Sequence, residues 1–156
     1  MTIIKARTAK VDEAGADNPL GPYRAELISD TGNLSHFGAF IEELPPGSHS
    51  SYAHWHRSED EMVLVLSGEV VAFEDGVATT LYPGDAACWK AGDPVAHTLH
   101  NQSNAPVRYV VIGTRSPQDV VTYPDRDRVL HLDRATQTRR YTTLSGDPSN
   151  GPETAP

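Results

Sequence analysis

The sequence predicts an all-β protein built as one domain, and three observations carry that expectation. Short runs of β-prone residues recur between Tyr23 and Gly113, separated by turn signals every ~8–12 residues. No stretch before Arg115 shows the 3.6-residue period of an amphipathic helix. The chain also carries 12 Pro and 12 Gly in 156 residues, a turn-rich composition in a length suited to a single core. Together these point to a β-sandwich or barrel.

Residues 1–22 join a β-prone start, Thr2-Ile3-Ile4, to the turn-rich passage Gly15–Pro22, and read as a loosely packed N-terminal arm. Strands follow over Tyr23–Ser29 and Ser35–Leu44, split by the turn Asp30–Asn33. Leu44-Pro45-Pro46-Gly47 stops the second, because proline cannot donate to a strand ladder. Tyr52–His56 and Glu61–Leu66 form the next pair, and Ser67-Gly68 turns into Glu69–Glu74. Asp75-Gly76 is a two-residue hairpin turn returning through Val77–Tyr82. Pro83-Gly84-Asp85 leads into Ala86–Lys90, then come strands at Val95–His100 and Val107–Gly113. These place the barrel at residues 23–115. Beyond it, residues 116–156 read as an irregular C-terminal extension, with a helical turn expected near Ser116–Asp119. The small, polar, proline-rich end, from Ser145 on, is expected to be disordered.

Composition narrows the function classes. A net charge of −8 argues against a nucleic-acid partner. No apolar run approaches the ~20 residues of a membrane span, and the first fifteen residues lack a signal peptide's apolar stretch. The single cysteine, Cys88, excludes an internal disulfide and is expected as a buried structural thiol. The expectation is a soluble, cytoplasmic protein.

The chemistry concentrates between Gly47 and Gly68. His54 and His56 stand two apart, so on a strand their imidazoles share a face. Glu61 follows a polar turn and can return a carboxylate to that face from the next strand. Imidazole and carboxylate together suit Fe, Mn, Co, Ni or Zn. For a fourth ligand His36, His49, His97 and His100 compete; His97 and His100 have opposite strand parity, so only one of them can face the metal. Spacing alone prefers His97 only weakly. Tyr52 shares parity with His54 and by that parity projects near the metal, as a hydrogen-bond donor or proton shuttle or, equally, as a packing residue. On the strand after Glu61 both faces are apolar: Val63 and Val65 inward, Met62, Leu64 and Leu66 outward. The outer face therefore needs cover, and a homodimer is expected to supply it.

Gly47, His54, His56, Glu61 and Gly68 resemble the first motif of the cupin family, which reads G, a gap, HxH, three or four residues, E, six residues, G. Gly84, Gly92, His97 and Asn101 resemble the second. Two departures stand out: Lys90 occupies the motif's proline, and four residues rather than two separate Gly92 from His97. The resemblance implies a double-stranded β-helix, or jelly-roll barrel, commonly dimeric. It also implies a divalent metal held by His54, His56, Glu61 and His97.

Such a ligand set leaves open positions on the ion, and so permits dioxygen chemistry or non-oxidative Lewis-acid chemistry. The sequence reading is a metal-dependent enzyme acting on a small organic molecule, with an oxygenase-type reaction slightly ahead. A non-oxidative isomerase (a sugar-phosphate isomerase, for example) or lyase comes second, and a non-catalytic small-molecule-binding cupin third. The inward candidates Val63, Val65, Ala72 and Val111 imply a modest pocket, into which Trp89 or Cys88 also points. Lys90 and Arg108 are cations that could receive an anionic substrate, but as strand-end cations they read as solvated.

Overall fold

The computed structural model describes residues 1–153, and its strands run in chain order β1 (Lys10–Ala14), β2 (Tyr23–Leu27), β3 (Phe37–Leu44), β4 (Trp55–His56), β5 (Glu61–Ser67), β6 (Val70–Glu74), β7 (Val77–Leu81), β8 (Ala86–Trp89), β9 (His97–His100), β10 (Val107–Thr114), β11 (Gln118–Tyr123), β12 (Arg128–Asp133), β13 (Thr138–Thr142) and β14 (Pro148–Ser149). A four-residue helix, Ile28–Thr31, and a 3-10 turn, Pro124–Arg126, are the helical elements among the described residues. None is long and apolar enough to cross a membrane.

The strands pair antiparallel in three sheets, ordered β1-β2-β3-β10-β5-β8, β14-β13-β12-β11-β4 and β7-β6-β9. Alternation decides what each strand buries. Val63 and Val65 on β5, Val107, Tyr109 and Val111 on β10, Val70 and Ala72 on β6, and Leu99 on β9 meet in one cluster between the six- and three-stranded sheets. Bridges His49↔His100 and His54↔His97 tie β9 to the segment leading into β4. The result is the expected double-stranded β-helix.

Two motif residues are explained by the backbone. Gly68 has φ +78°, and a Cβ there would lie 2.7 Å from the Pro106 carbonyl oxygen, so only glycine turns β5 into β6. Asn101 is fully buried; its Nδ2 donates to the carbonyls of Leu44 at 2.8 Å and Ala105 at 2.9 Å, clamping the turn before β10.

Several expectations change. The N-terminal segment contributes β1, paired along β2, rather than only a loose arm. The C-terminal segment is not irregular: Gln118 begins a strand instead of a helical turn, and β11–β14 form a sheet that reaches β4. The expected disorder at the chain end falls partly on residues 154–156, outside the described residues, whereas Pro148–Ser149 pairs with β13. Tyr52–His56 shrinks to Trp55–His56, because residues 50–53 bend. Cys88 is exposed rather than buried: its parity on β8 is opposite to that of Trp89, which takes the inward place at 8% exposure.

Candidate metal centre

His54 and His56 flank Trp55 where β4 begins, and Glu61 opens β5 beside Trp89 of β8. One ligand atom from each of the three lies within 4.8 Å of the other two. His97 opens β9 across the bridge from His54. Its Nε2 stands 3.6 Å from Glu61 Oε1, while His56 Nε2 stands 3.7 Å from Glu61 Oε2. His97 belongs to the group through Glu61, outside the tighter trio. The buried residue is His97, whereas His100, of opposite parity, stacks on His49 away from the centre. His36 is exposed.

Each imidazole is oriented by its other nitrogen. His54 Nδ1 lies 2.9 Å from the Tyr52 carbonyl oxygen, His97 Nδ1 3.4 Å from that of Val95, and His56 Nδ1 2.6 Å from Asp119 Oδ2. A carbonyl or carboxylate oxygen only accepts, so each Nδ1 carries the hydrogen and each Nε2 presents a lone pair. The His97 ring is also stacked on Trp89 at 3.8 Å, and the Trp89 indole donates to Glu74 at 2.5 Å. His97 Nε2 is buried with no hydrogen-bond partner. An acceptor orphaned in this way is what a metal ligand leaves behind when protein atoms alone are counted. The donor set therefore fits a divalent transition metal.

Electrostatics agree with that chemistry. Burial, aided by the neighbouring imidazoles, pulls His54 down to about 4, leaving it in the neutral form that coordinates metals. Burial alone would raise Glu61, but His97, whose Nε2 lies 3.6 Å away, and the other surrounding histidines outweigh it and hold it below its ordinary value. His56 moves the other way: burial lowers it, yet the bond to Asp119 and the charges of Glu61 and Asp119 leave it raised. Asp119 is pushed up by burial and pulled further down by the His56 and Ser58 bonds, ending below its ordinary value.

Behind the ligands stands a supporting layer. Asp119 has a fully buried side chain and comes from β11, so the C-terminal sheet orients His56. Its other oxygen accepts the Ser58 N–H at 2.8 Å. Glu59 sits nearby but is taken up by Arg134, at 2.7 and 2.8 Å, and by the Ser116 N–H. Tyr123, also from β11, brings its ring 5.6 Å from that of His54.

A cavity of about 430 Å³ opens against His54, Glu61 and His97. Its walls are apolar at Phe40, Val63, Leu99 and Val111, polar at Glu42, Ser50 and Tyr109, and carry two ion pairs, Arg115 with Asp30 and Arg134 with Glu59. Neither Lys90 nor Arg108 lines it; Arg108 lies 3.7 Å from Glu43 on the outer face of the sheet. Tyr52 is not brought into it either. Its ring lies under the Arg126 guanidinium at 4.8 Å, because the bend at residues 50–53 breaks the strand parity that would have turned it inward. What Tyr52 gives the centre is its backbone carbonyl, on His54. Glu42, Tyr109, Asp119, Arg115 and Arg134 have no place in the site that the sequence predicts. Only Glu42 left a local signal, a carboxylate at inward parity between Phe40 and Leu44.

Residues 40–113 match the family model of the cupin domain. The chain is 30% identical to a sugar phosphate isomerase from the cupin superfamily of Silicibacter pomeroyi, over 96% of this chain and 98% of that one, with a TM-score of 0.86. A solved structure from Acidithiobacillus ferrooxidans superposes with a TM-score of 0.82 at 24% identity, over 96% of each chain. A predicted oxalate decarboxylase from Thermotoga maritima superposes with a TM-score of 0.62 at 18% identity, over 74% of this chain and 100% of its own. The last two likenesses concern the fold alone. No curated protein matches the chain.

Proposed function

The chain belongs to the cupin superfamily, and from that premise we propose that it is a metal-dependent isomerase acting on a small phosphorylated sugar. The observation that carries this reading is the 30% identity, sustained over nearly the full length of both chains, with a sugar phosphate isomerase. It moves the non-oxidative reaction ahead of the oxygenase that the ligand set alone leaves equally open. His54, His56, Glu61 and His97 would hold a divalent transition metal, which when bound supplies Lewis-acid polarisation of a substrate oxygen.

The chain's own residues supply the rest. The imidazoles are pre-set by Tyr52, Val95 and Asp119, so loading the centre requires no tautomer change. Arg115 and Arg134 are the cations in the cavity wall that a phosphate would meet. Arg115 donates to Leu34 and Asp30 and Arg134 to Glu59, and a guanidinium carries five N–H donors, so each keeps donors for a ligand.

The test is turnover of a panel of tetrose, pentose and hexose phosphates by metal-loaded protein, with and without dioxygen. The reading predicts isomer formation at equal rates in air and under argon. Turnover that requires dioxygen would overturn it in favour of the oxygenase.

A further inference from the structure

The inner wall of the cavity holds a buried polar pair that the metal centre does not use. Glu42 on β3 and Tyr109 on β10 are direct cross-strand partners, exposed 7% and 0% respectively, and the Tyr109 hydroxyl donates to Glu42 Oε2. Around them the wall is Phe40, Val63, Leu99 and Val111. The backbone ladder already joins β3 to β10 at this rung, so the pair adds no registration that an apolar pair would lack. Burying a carboxylate is costly, and active-site clefts are where such burial is arranged to fit a carboxyl group to proton transfer.

We propose that Glu42, oriented by the Tyr109 hydroxyl, is the group that carries the proton between adjacent carbons of the sugar phosphate. The inference rests on the isomerase reading above. Glu42 removes the hydrogen on the carbon next to the substrate carbonyl, and the C–H electron pair becomes the C=C bond of an enediol. The carbonyl oxygen gains a proton as the neighbouring hydroxyl gives one up. Glu42 then returns its proton to the former carbonyl carbon. Nothing is oxidised overall, and no co-reactant is needed.

The surroundings suit a proton carrier at neutral pH. Burial, together with the charges of Glu61 and Asp12, raises Glu42 to about 7, with the Tyr109 bond opposing. Tyr109 itself is raised well above its ordinary value by burial and by Glu42, so it stays a donor. The other titratable groups around Glu42 are Tyr23 on β2 and His49 beside Ser50.

The experiment compares wild type, Glu42→Gln and Tyr109→Phe, each loaded with the same divalent metal, on the aldose phosphate that wild type converts fastest. Glu42→Gln is expected to lose kcat by about 10²- to 10⁴-fold with KM and bound metal unchanged. It should also lose incorporation of deuterium from D2O at the reacting carbons. Tyr109→Phe is expected to move the acid limb of the kcat/KM profile to higher pH, since the bond it removes holds Glu42 down; a merely structural tyrosine would not move that limb. Turnover and deuterium incorporation by Glu42→Gln within threefold of wild type would overturn the inference while leaving the isomerase reading intact. Failure of wild type on every sugar phosphate overturns both.

Discussion

Asp119→Asn tests how the C-terminal sheet serves the metal centre. Asp119 sits 63 residues from His56 in sequence, and its fully buried carboxylate bonds His56 Nδ1 at 2.6 Å and the Ser58 N–H at 2.8 Å. Asparagine offers one acceptor oxygen where both of those bonds need one. Either its amide faces His56 Nδ1, forcing the tautomer that hides the Nε2 lone pair, or it faces the Ser58 N–H and leaves two donors opposed. Losing such a support costs about 10- to 100-fold in metal affinity, or roughly 1.4–2.7 kcal/mol. The assay is competition for Zn²⁺ against a fluorescent chelator at neutral pH, with His56→Ala as the reference for full loss of a ligand. The metal-free protein gives a second reading. A raised His56 stabilises below its unfolded value of 6.5 and loses that contribution as pH rises through its folded value. A lowered Asp119 stabilises above 3.8 and loses its contribution as pH falls through its own folded value. The pair therefore helps most between those two values, and Asp119→Asn should lower Tm most there. Equal Zn²⁺ affinity in Asp119→Asn and wild type would refute the supporting role.

The remaining predictions follow from the same geometry. Glu42 is raised from 4.5 to about 7, so the folded state holds its proton more tightly, and this site's contribution to stability falls as pH rises across that interval. Glu42→Gln should therefore melt higher than wild type at pH 8, by up to about 3 kcal/mol of stability, and equally at pH 4; a lower Tm at pH 8 would contradict the reading. On the outer face of β5, Met62 and Leu64 are only half-buried and Leu66 is 42% exposed, which leaves an apolar strip for a second copy of the chain. Light scattering at micromolar concentration should give a dimer that Leu64→Glu dissociates, and a wild-type monomer would remove that expectation.

What the sequence made legible was local. His54, His56 and Glu61 are joined by one turn, so period-two alternation and a hairpin suffice to bring them together. His97 needed the family resemblance to be chosen over its rivals, and in the structure it faces inward through the parity that turns His100 out. The support behind the ligands was not legible. Asp119, Arg134 and Tyr123 reach the centre through a sheet whose pairing joins residues 118–133 to Trp55–His56, and no local pattern encodes a contact of that range. The segment also misled by composition: Asp125–Arg140 is densely charged, yet its strands alternate, and Arg128 and Leu130 turn inward while Arg139 and Arg140 stay exposed. Tyr52, whose ring lies under Arg126, illustrates the converse. Parity was applied across a bend, where it has no force.

The most direct test of the central claim follows one anaerobic reaction by ³¹P NMR, using a sugar phosphate from the panel through a cycle of chelation and metal return. A metal-dependent isomerase predicts that the resonance of an isomeric phosphate grows, stops growing on chelation and resumes when the divalent metal is restored. A spectrum that never changes, or one that changes at the same rate in the chelated protein, would contradict it.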